Sequence, residues 1–443
     1  MGLLLTEFVV AGRKGAFFMT GVFVLLKCCW DFVRGRYFSR AVSAGSGRPI
    51  GAKVADVKAR RILLAAAECS FDSGAFRSLL ALTVELRKMG NFVFVVVPRG
   101  GSGEKLLIDN GIPYEIVCSL SWIVPIGSGR RSYREMAGVF IINHLAISKI
   151  TKLIRREKID LVHVNSAPTY VGAFAALDAK VPLVWHLRDY LEEDHGRVIY
   201  NKAAGYDLMR KAVRCIAVSQ GVYDKYATIL GEDRIVKIFN GIDPERFYHP
   251  AHVIMEQRIV RLVLMGPLSA HKGQYELTCA CAALYKSGIR DFELWFVGCD
   301  DGAMRSAVDS IIEESGLKGR VLFWGRQEHP EDILKDADVA FMCSRCEAFG
   351  RATVEAMLAG CLVVGADTGA TPELVRNGET GFLFHFEQGK CDDLVKKIKY
   401  VLENRDLVRA VAQAGQRYAL ENMTAERNAR EIAELYRNVL GAA

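Results

Sequence analysis

The feature that most constrains the fold is a repeated alternation of short apolar runs with longer amphipathic segments. Ile62–Ala67 and Phe92–Val97 have the length and composition of buried strands, and segments with helical periodicity follow them. Alternation of this kind predicts parallel sheets joined by right-handed helical crossovers. A second series begins at Ile259, after the segment His249–Gln257, which has no strand pattern. The chain is therefore predicted to form two α/β domains that face each other across a cleft at the carboxyl ends of both sheets.

The chain length supports this division, because 443 residues are too many for one ordinary core. We place an N-terminal extension at residues 1–59, a first domain at 60–250, a second domain at 251–420 and a closing helical segment at 421–443. The remaining predicted strands are Leu161–Val164, Leu183–His186, Arg261–Met265, Glu293–Val297, Val321–Trp324, Val339–Met342 and Leu362–Gly365.

The stretch Cys346–Glu373 carries the strongest functional signal. After the last residue of a predicted strand, Glu347 lies in a loop and Glu355 lies inside a helix predicted to begin at Arg351. A helix N-terminus has unpaired N–H groups and a partial positive charge, which suit a phosphate. Carboxylates beside it suit the hydroxyls of a sugar or ribose. The pattern indicates a nucleotide-sugar site, although two solvent-facing acids on one helix would give the same spacing.

With its F-G-R and E-A-M-x-x-G sequences and the following T-P-E-L-V, this stretch resembles the E-x7-E motif of retaining glycosyltransferases. These enzymes form the group 1 family, which has the GT-B fold of two Rossmann-like domains and includes sucrose synthases and many bacterial polysaccharide and lipid glycosylation enzymes. The resemblance covers about residues 60–440. It implies that Glu347 contacts the donor hexose and that Glu355 contacts the ribose. The donor site would also include Phe349, Gly350 and Arg351.

The loop M-G-P-L-S-A-H-K-G resembles the family loop whose arginine and lysine hold the donor diphosphate. Gly266 and Lys272 are in place, but Pro267 stands at the arginine position. The chain thereby lacks one bidentate phosphate contact. Either another cation substitutes, with Arg351 as the candidate, or donor binding is weak.

The first domain is expected to supply Gly74 and His186 to the site. D-S-G-A-F-R-S replaces the family's Gly-Gly loop near the donor phosphates and keeps one of its two glycines, Gly74. His186, at the end of a predicted strand, matches the family's active-site histidine, although a lone histidine there is commonly structural. The following L-E-E-D-H-G is similar to bacterial exopolysaccharide transferases. His163 and Asn165, at another strand end, are predicted to line the cleft.

Positive charge is concentrated in two segments. The net charge is +7, yet Arg34–Arg61 and Arg130–Lys158 together carry +13. Localised basic charge favours an anionic partner, either lipid head groups or a phosphate-bearing acceptor, with Arg130, Arg131 and Arg134 as the candidate surface. A solvated helix face is the alternative. Nucleic acid is disfavoured, since no aromatic residues interleave with the basic ones. In the second segment Ile142, Leu145, Ala146, Ile150 and Leu153 are predicted to form one apolar helix face.

The N-terminal extension contains an apolar run, Ala16–Leu26, which is short for the ~20 residues of a membrane span. It is either a membrane-associated segment or an unstructured extension. If it inserts, the basic residues that follow would hold the chain on the cytoplasmic side. The twelve cysteines lack paired spacing, which disfavours zinc and favours free thiols in a reducing compartment. We expect a cytoplasmic protein, at the cytoplasmic face of the inner membrane if the extension inserts.

The resulting hypothesis is a retaining transferase that moves a hexose from a nucleoside diphosphate sugar to a lipid-linked or saccharide acceptor hydroxyl. The resemblance implies that it needs no metal and no cofactor, and His186, Glu347 and Lys272 are the expected catalytic residues. Uridine and guanosine diphosphate donors are both compatible with the sequence. The alternatives are a nucleotide-sugar-binding protein without transferase activity and an NAD(P)-dependent oxidoreductase. The glycines from Gly100 to Gly103 lack the G-x-G-x-x-G fingerprint of the latter.

Overall fold

The computed structural model describes residues 59–128, 132–300 and 302–441. The predictions for the N-terminal extension therefore lie outside the described residues, as do those for Arg130 and Arg131. The described part of the chain contains two parallel sheets, which lie on either side of the predicted boundary at residue 250.

The first domain is built on a seven-stranded sheet with the strand order β3-β2-β1-β5-β6-β8-β9, and all of its pairings are parallel. Strands β4 and β7 form a separate antiparallel pair. The strands are β1 Arg61–Ala66, β2 Phe92–Val97, β3 Tyr114–Ile116, β4 Ile123–Pro125, β5 Leu161–Asn165, β6 Leu183–Leu187, β7 Arg197–Ile199, β8 Arg214–Ala217 and β9 Ile235–Lys237. The helices are α1 Gly74–Lys88, α2 Glu104–Asp109, α3 Tyr133–Arg156, α4 Val171–Ala179, α5 Glu192–His195, α6 Lys202–Met209, α7 Gln220–Leu230 and α8 Pro244–Phe247.

The second domain has a six-stranded parallel sheet with the order β12-β11-β10-β13-β14-β15. Its strands are β10 Val260–Met265, β11 Phe292–Val297, β12 Val321–Gly325, β13 Val339–Met342, β14 Leu362–Ala366 and β15 Phe382–Phe384. The helices of the rest of the chain are α9 Gln274–Lys286, α10 Ala303–Ser315, α11 Glu331–Leu334, α12 Arg351–Ala359, α13 Thr371–Leu374, α14 Asp392–Glu403, α15 Arg405–Asn422 and α16 Ala425–Gly441.

All nine strands predicted from apolar runs are present, with ends that differ by at most one residue. Eight of these runs are readable because a strand with helices on both faces of its sheet is apolar throughout. The ninth, the edge strand β12, is apolar although none of its residues is buried. The six strands that the sequence analysis missed have only three or four residues, too few for a pattern to stand out from a loop. They are β3, β4, β7, β8, β9 and β15.

The closing helix α16 (Ala425–Gly441) belongs to the core of the first domain. Its residues Ile432 and Tyr436 are buried in one cluster with Leu64 of β1 and Phe76 of α1. The side chain of Asn428 also donates a hydrogen bond to a backbone carbonyl of the first domain, at Phe239. The last residues of the described chain therefore cover one face of the first sheet.

Helix α3 (Tyr133–Arg156) buries a narrower stripe than its sequence pattern predicts. Ala146, Ile150 and Leu153 are in the core, but Leu145 is 65% exposed, so its assignment to the apolar face is wrong. Successive helical residues are about 100° apart, which places Leu145 outside a stripe centred on Ala146 and Ile150. The helix begins at a capping box formed by Ser132 and Glu135.

Candidate functional site

Lys272 and Glu347 form an ion pair at the carboxyl edge of the second sheet. Lys272 lies in the loop between β10 and α9, and Glu347 lies between β13 and α12. Because β10 and β13 are neighbours, both loops leave the sheet at the same edge. The Lys272 ammonium donates a hydrogen bond to the Glu347 carboxylate, and their side chains are 31% and 15% exposed. Burial raises the pKa of Glu347, but the charge and hydrogen bond of Lys272 outweigh it and hold the pKa below its usual value. A cation and an ionised carboxylate thus lie side by side.

Two glycines fix the backbone around Glu347. Gly350, the residue before helix α12, has a φ of 84°, in the left-handed region that favours glycine. Gly369 lies against the backbone of Glu347, and a Cβ there would be 2.5 Å from the Glu347 nitrogen. The Ala370 nitrogen also donates a 2.8 Å hydrogen bond to the Glu347 carbonyl. The loop that carries the first glutamate is therefore held close to the N-terminus of α12.

Glu355 lies where the two domains meet. Its side chain is 3% exposed, and its Oε1 is 3.1 Å from Nη2 of Arg351 and 3.6 Å from Nη1 of Arg77, on helix α1 of the first domain. Burial raises the pKa of Glu355, but the charges of Arg77 and Arg351 outweigh it and lower the pKa. Both guanidinium groups therefore face an ionised carboxylate.

Arg351 also joins the domains. Its Nη1 donates a 2.9 Å hydrogen bond to Oγ of Ser78 on α1, and a Cβ at Gly74 would be 3.4 Å from its Cδ. Burial is the main cause that lowers the pKa of Arg351 to about 10, so the group remains charged at neutral pH. The structure thus places Gly74 and Arg351 together at the contact between the domains, and their role in donor binding stays a prediction.

The sequence analysis missed Arg77. Its signal was present in D-S-G-A-F-R-S, because a basic residue in the first turn of a helix stands close to the loop that precedes it. At the second family loop Pro267 contributes only its carbonyl, which accepts a 2.9 Å hydrogen bond from Gln274. The chain has no guanidinium group at residue 267, where the family loop has an arginine. It has two others near the predicted donor site, those of Arg77 and Arg351.

His186 is wholly buried, and so is its neighbour His163. The two rings are 5.2 Å apart, and His163 is hydrogen-bonded to Tyr436 of α16. Burial, and then the charge of Arg188, hold the pKa of His186 well below its usual value, so the ring is neutral. His163 therefore belongs to the core and does not line the cleft. The catalytic role of His186 stays a prediction, and its ring has no exposed surface in this structure.

Phe349 and Asn165 are also buried, each in a packing or hydrogen-bonding role. Phe349 is 3% exposed, with its ring 6.0 Å from that of Phe239 in the first domain. Asn165 accepts a 2.6 Å hydrogen bond from Nε of Arg188. Phe349 thus contacts the other domain, and its predicted contact with the donor stays a prediction.

The segment after β6 holds a cluster of Asp189, in the loop, and Asp194 and His195, in the short helix α5. Their ligand-type atoms lie within 4.8 Å of one another. Nε2 of His195 is 3.6 Å from Asp189, and Asp189 also accepts a hydrogen bond from Ser166. The interaction with Asp189 is the main cause that raises the pKa of His195. The charge of Lys272 lowers the pKa of His195, and the charge of His195 lowers the pKa of Glu347, so this cluster lies near the ion pair of the second domain. Ion pairing between His195 and the two aspartates accounts for the short distances among the three side chains. The same carboxylate oxygens could also coordinate a metal cation.

Family comparisons assign both domains. Residues 73–246 match the family model described as Glycosyltransferase Family 4, and residues 248–418 match the one described as Glycosyl transferases group 1. The chain carries the two domains of a GT-B glycosyltransferase. Gly74 and His186 lie in the first match, and Lys272, Glu347 and Glu355 lie in the second.

Individual relatives agree with this assignment. The putative glycosyltransferase EpsD of Bacillus subtilis is 30% identical over 206 residues, which are 44% of this chain and about half, 52%, of EpsD. N-acetyl-alpha-D-glucosaminyl L-malate synthase of Bacillus anthracis is 22% identical over 310 residues, 66% of this chain and 78% of the relative. The crystal structure of Alr3699/HepE of Anabaena, in complex with UDP, superposes with a TM-score of 0.70 at 24% identity, covering 85% of this chain and all of HepE. The predicted GT-B fold is confirmed.

A further contact between the two glycosyltransferase domains comes from the T-P-E sequence. The Glu373 carboxylate accepts hydrogen bonds of 2.7 and 2.9 Å from the backbone nitrogen of Gln220, at the N-terminus of α7 in the first domain. It also accepts one of 3.2 Å from Gly221. A carboxylate at this position satisfies unpaired N–H groups and the positive end of the helix dipole. Glu373 is therefore a structural residue of the domain contact.

Proposed function

We propose that this protein is a retaining hexosyltransferase, which moves a hexose from a nucleoside diphosphate sugar to an acceptor hydroxyl in polysaccharide or glycolipid assembly. The observation that carries the proposal is the Lys272–Glu347 pair beside the N-terminus of α12. It offers a cation for a diphosphate and an ionised carboxylate for sugar hydroxyls within one small region. The structures of HepE with UDP and with UDP-glucose support a uridine diphosphate donor.

Each group has a role in this proposal. Lys272 and the unpaired N–H groups at the start of α12 stabilise the negative charge that develops on the departing diphosphate. Glu347 orients the hexose through its hydroxyls, and Glu355 binds the ribose hydroxyls. The leaving phosphate accepts the proton of the acceptor hydroxyl on the same face of the sugar, which retains the anomeric configuration. Arg77 and Arg351, which pair with Glu355, supply further positive charge for the diphosphate.

A second candidate is a nucleotide-sugar-binding protein that transfers nothing, and the proline at residue 267 favours it. With no guanidinium group there, the site has fewer cations with which to stabilise a leaving group. Without an arginine at residue 267, the protein would retain donor binding more readily than it would retain catalytic turnover of the donor.

The two candidates differ in turnover. We expect UDP or GDP to raise the unfolding temperature of the purified protein, because a ligand that binds only the folded state at 100 times its Kd stabilises it by about 2.7 kcal/mol. We also expect nucleotide release from one of a panel of UDP- and GDP-hexoses, measured with saccharide acceptors and with water alone.

NMR of the glycosylated product would then show whether the anomeric configuration is retained. Stabilisation without release under any condition would favour the binding protein, and quenching of NAD(P)H fluorescence on mixing would favour the oxidoreductase.

We propose that no metal is needed, since Lys272 and backbone N–H groups provide the positive charge. Nucleotide release should therefore be unchanged within about twofold after dialysis against EDTA. The cluster of Asp189, Asp194 and His195 sharpens this test, because it is where a required cation would bind. Loss of activity with EDTA, restored by Mn²⁺ in the wild type but not in Asp189→Asn, would contradict the proposal and assign the cluster as a metal site.

The cellular setting belongs to the same proposal. We place the protein in the cytoplasm, with a lipid-linked or saccharide acceptor, and with an anionic membrane surface as a partner. The supporting facts are the two basic segments of the sequence and the exposed side chain of Arg134.

A further inference from the structure

Helix α3 (Tyr133–Arg156) exposes three large apolar side chains on the side that faces away from the core. Tyr133, Phe140 and Leu145 are 86%, 67% and 65% exposed, and we call them the α3 apolar patch. They lie within thirteen residues, which span about 18 Å along a helix axis. At about 100° per residue, the three side chains fall within about 140° around the helix axis, so all of them can contact one surface. Exposed apolar side chains grouped in this way mark an interaction surface.

The opposite face of α3 is fixed in the first domain. Although the helix is long and apolar enough by composition to cross a membrane, Ala146 and Ile150 are buried in the core. Asn143, also buried, binds both backbone groups of Leu120 and the hydroxyl of Tyr170. Crossing a bilayer would break this packing and these hydrogen bonds. The helix is therefore suited to lie on a surface with one side and to keep the other side in the domain.

The second half of the outer face is basic. Lys149 and Arg156 pair with Glu115, whereas Lys152 and Arg155 are exposed and have no acidic partner among the residues that the structure describes. An apolar segment followed by a basic one on the same exposed helix face is complementary to an anionic bilayer, whose interface accepts apolar side chains and whose head groups attract cations.

The patch lies on the cleft side of the first domain. Helix α3 leads into the start of β5, so its first half lies near the carboxyl ends of the strands. The contacts of Asn143 agree, because Leu120 follows the end of β3 and Tyr170 follows the end of β5. The same end of the sheet carries the loop of Asp189 and His195, which is near the Lys272–Glu347 pair.

We propose that the outer face of α3 docks on an anionic lipid bilayer, with the α3 apolar patch inserted at the level of the head groups and Lys152 and Arg155 at the lipid phosphates. This goes beyond the charge-based prediction, because apolar insertion orients the molecule with its cleft next to the membrane. The docking itself does not depend on transferase activity. It does, however, place a lipid-linked acceptor within reach of the site.

The test is binding of the full chain to vesicles of phosphatidylcholine with 30% phosphatidylglycerol, measured by co-sedimentation. The substitutions Tyr133→Ser, Phe140→Ser and Leu145→Ser, made together, should lower the apparent partition coefficient at least tenfold. A matched control combines Ile108→Ser, Tyr400→Ser and Leu407→Ser, three exposed apolar positions elsewhere, and should stay within twofold of wild type. Equal loss in both triple variants, or in neither, would overturn the proposal.

A second measurement reports insertion directly and does not require removal of the patch. In Phe140→Trp, brominated lipids in the same vesicles should quench tryptophan emission more than in wild type, whereas Tyr400→Trp should show no additional quenching. Absence of additional quenching in Phe140→Trp would overturn the proposal. So would a dimer in size-exclusion chromatography with light scattering that becomes a monomer in the patch variant, since the face would then bind a second copy. UDP-induced thermal stabilisation, measured on the same samples, tests the proposed function separately.

Discussion

Replacing Lys272 by alanine should lower kcat for nucleotide release and sugar transfer by about 10²–10³-fold, the usual effect of removing one preorganised group that stabilises transition-state charge. The expected cause is twofold. The departing diphosphate loses the Lys272 ammonium, and Glu347 loses the partner that holds its carboxylate and lowers its pKa. The measurement is steady-state release of UDP from the donor that the panel identifies.

A matched control is Lys335→Ala in the same domain. Lys335 pairs with Asp332 at 2.8 Å, but both side chains are exposed and lie on α11 and the residue that follows it, outside the candidate site. Its loss should leave kcat within twofold of wild type. If Lys272→Ala retained more than a tenth of the wild-type kcat, the ion pair would not be the centre of the site.

Replacing Glu355 by alanine should destabilise the protein by about 3–5 kcal/mol, the range found when one partner of a buried ion pair is removed. The structural reason is that Arg77 and Arg351 would both remain at the domain contact without the carboxylate they share. Urea denaturation, followed by circular dichroism, measures the change. UDP should also bind more weakly by about 1–3 kcal/mol, because a ribose hydrogen-bond acceptor is lost.

The control for stability is Glu387→Ala, since Glu387 pairs at 2.5 Å with Lys390 and their side chains are 55% and 61% exposed. Exposed pairs contribute about 0–1 kcal/mol. For nucleotide binding the comparison is Glu347→Ala, which should lose turnover but bind free UDP like the wild type. Equal UDP affinity in Glu355→Ala and wild type would remove Glu355 from the ribose site.

The sequence could predict what depends on neighbouring residues. Buried parallel strands are apolar throughout, so eight of the nine predicted strands and the two-domain organisation were readable. The ninth, β12, is apolar although its side chains are half-buried or exposed. The spacing of Glu347 and Glu355 around a helix start is also present in the structure. Contacts between distant residues were not readable. Nothing local in the sequence shows that Arg77 reaches Glu355 or that Glu373 caps α7, because both contacts depend on how two domains are placed.

The sequence also could not show which individual side chains are buried and which are exposed. A polar residue at a strand end, such as His163, has the same sequence pattern whether its side chain faces a cleft or a covering helix. The difference is Tyr436, on a helix that returns from the end of the chain. Leu145 shows the reverse error, since an apolar residue beside a buried stripe was assigned to the core although its side chain points outward.

The position of helix α16 determines how the protein can fold during synthesis. Domains usually fold in the order in which they leave the ribosome. Here the face of the first sheet that includes Leu64 is covered by Ile432 and Tyr436, which are translated after the whole second domain. The first domain therefore leaves the ribosome with one apolar face of its sheet exposed, and this face is covered only after helix α16 has been synthesised. A premature stop before Ala425 would consequently yield an aggregation-prone fragment, and not a stable first domain.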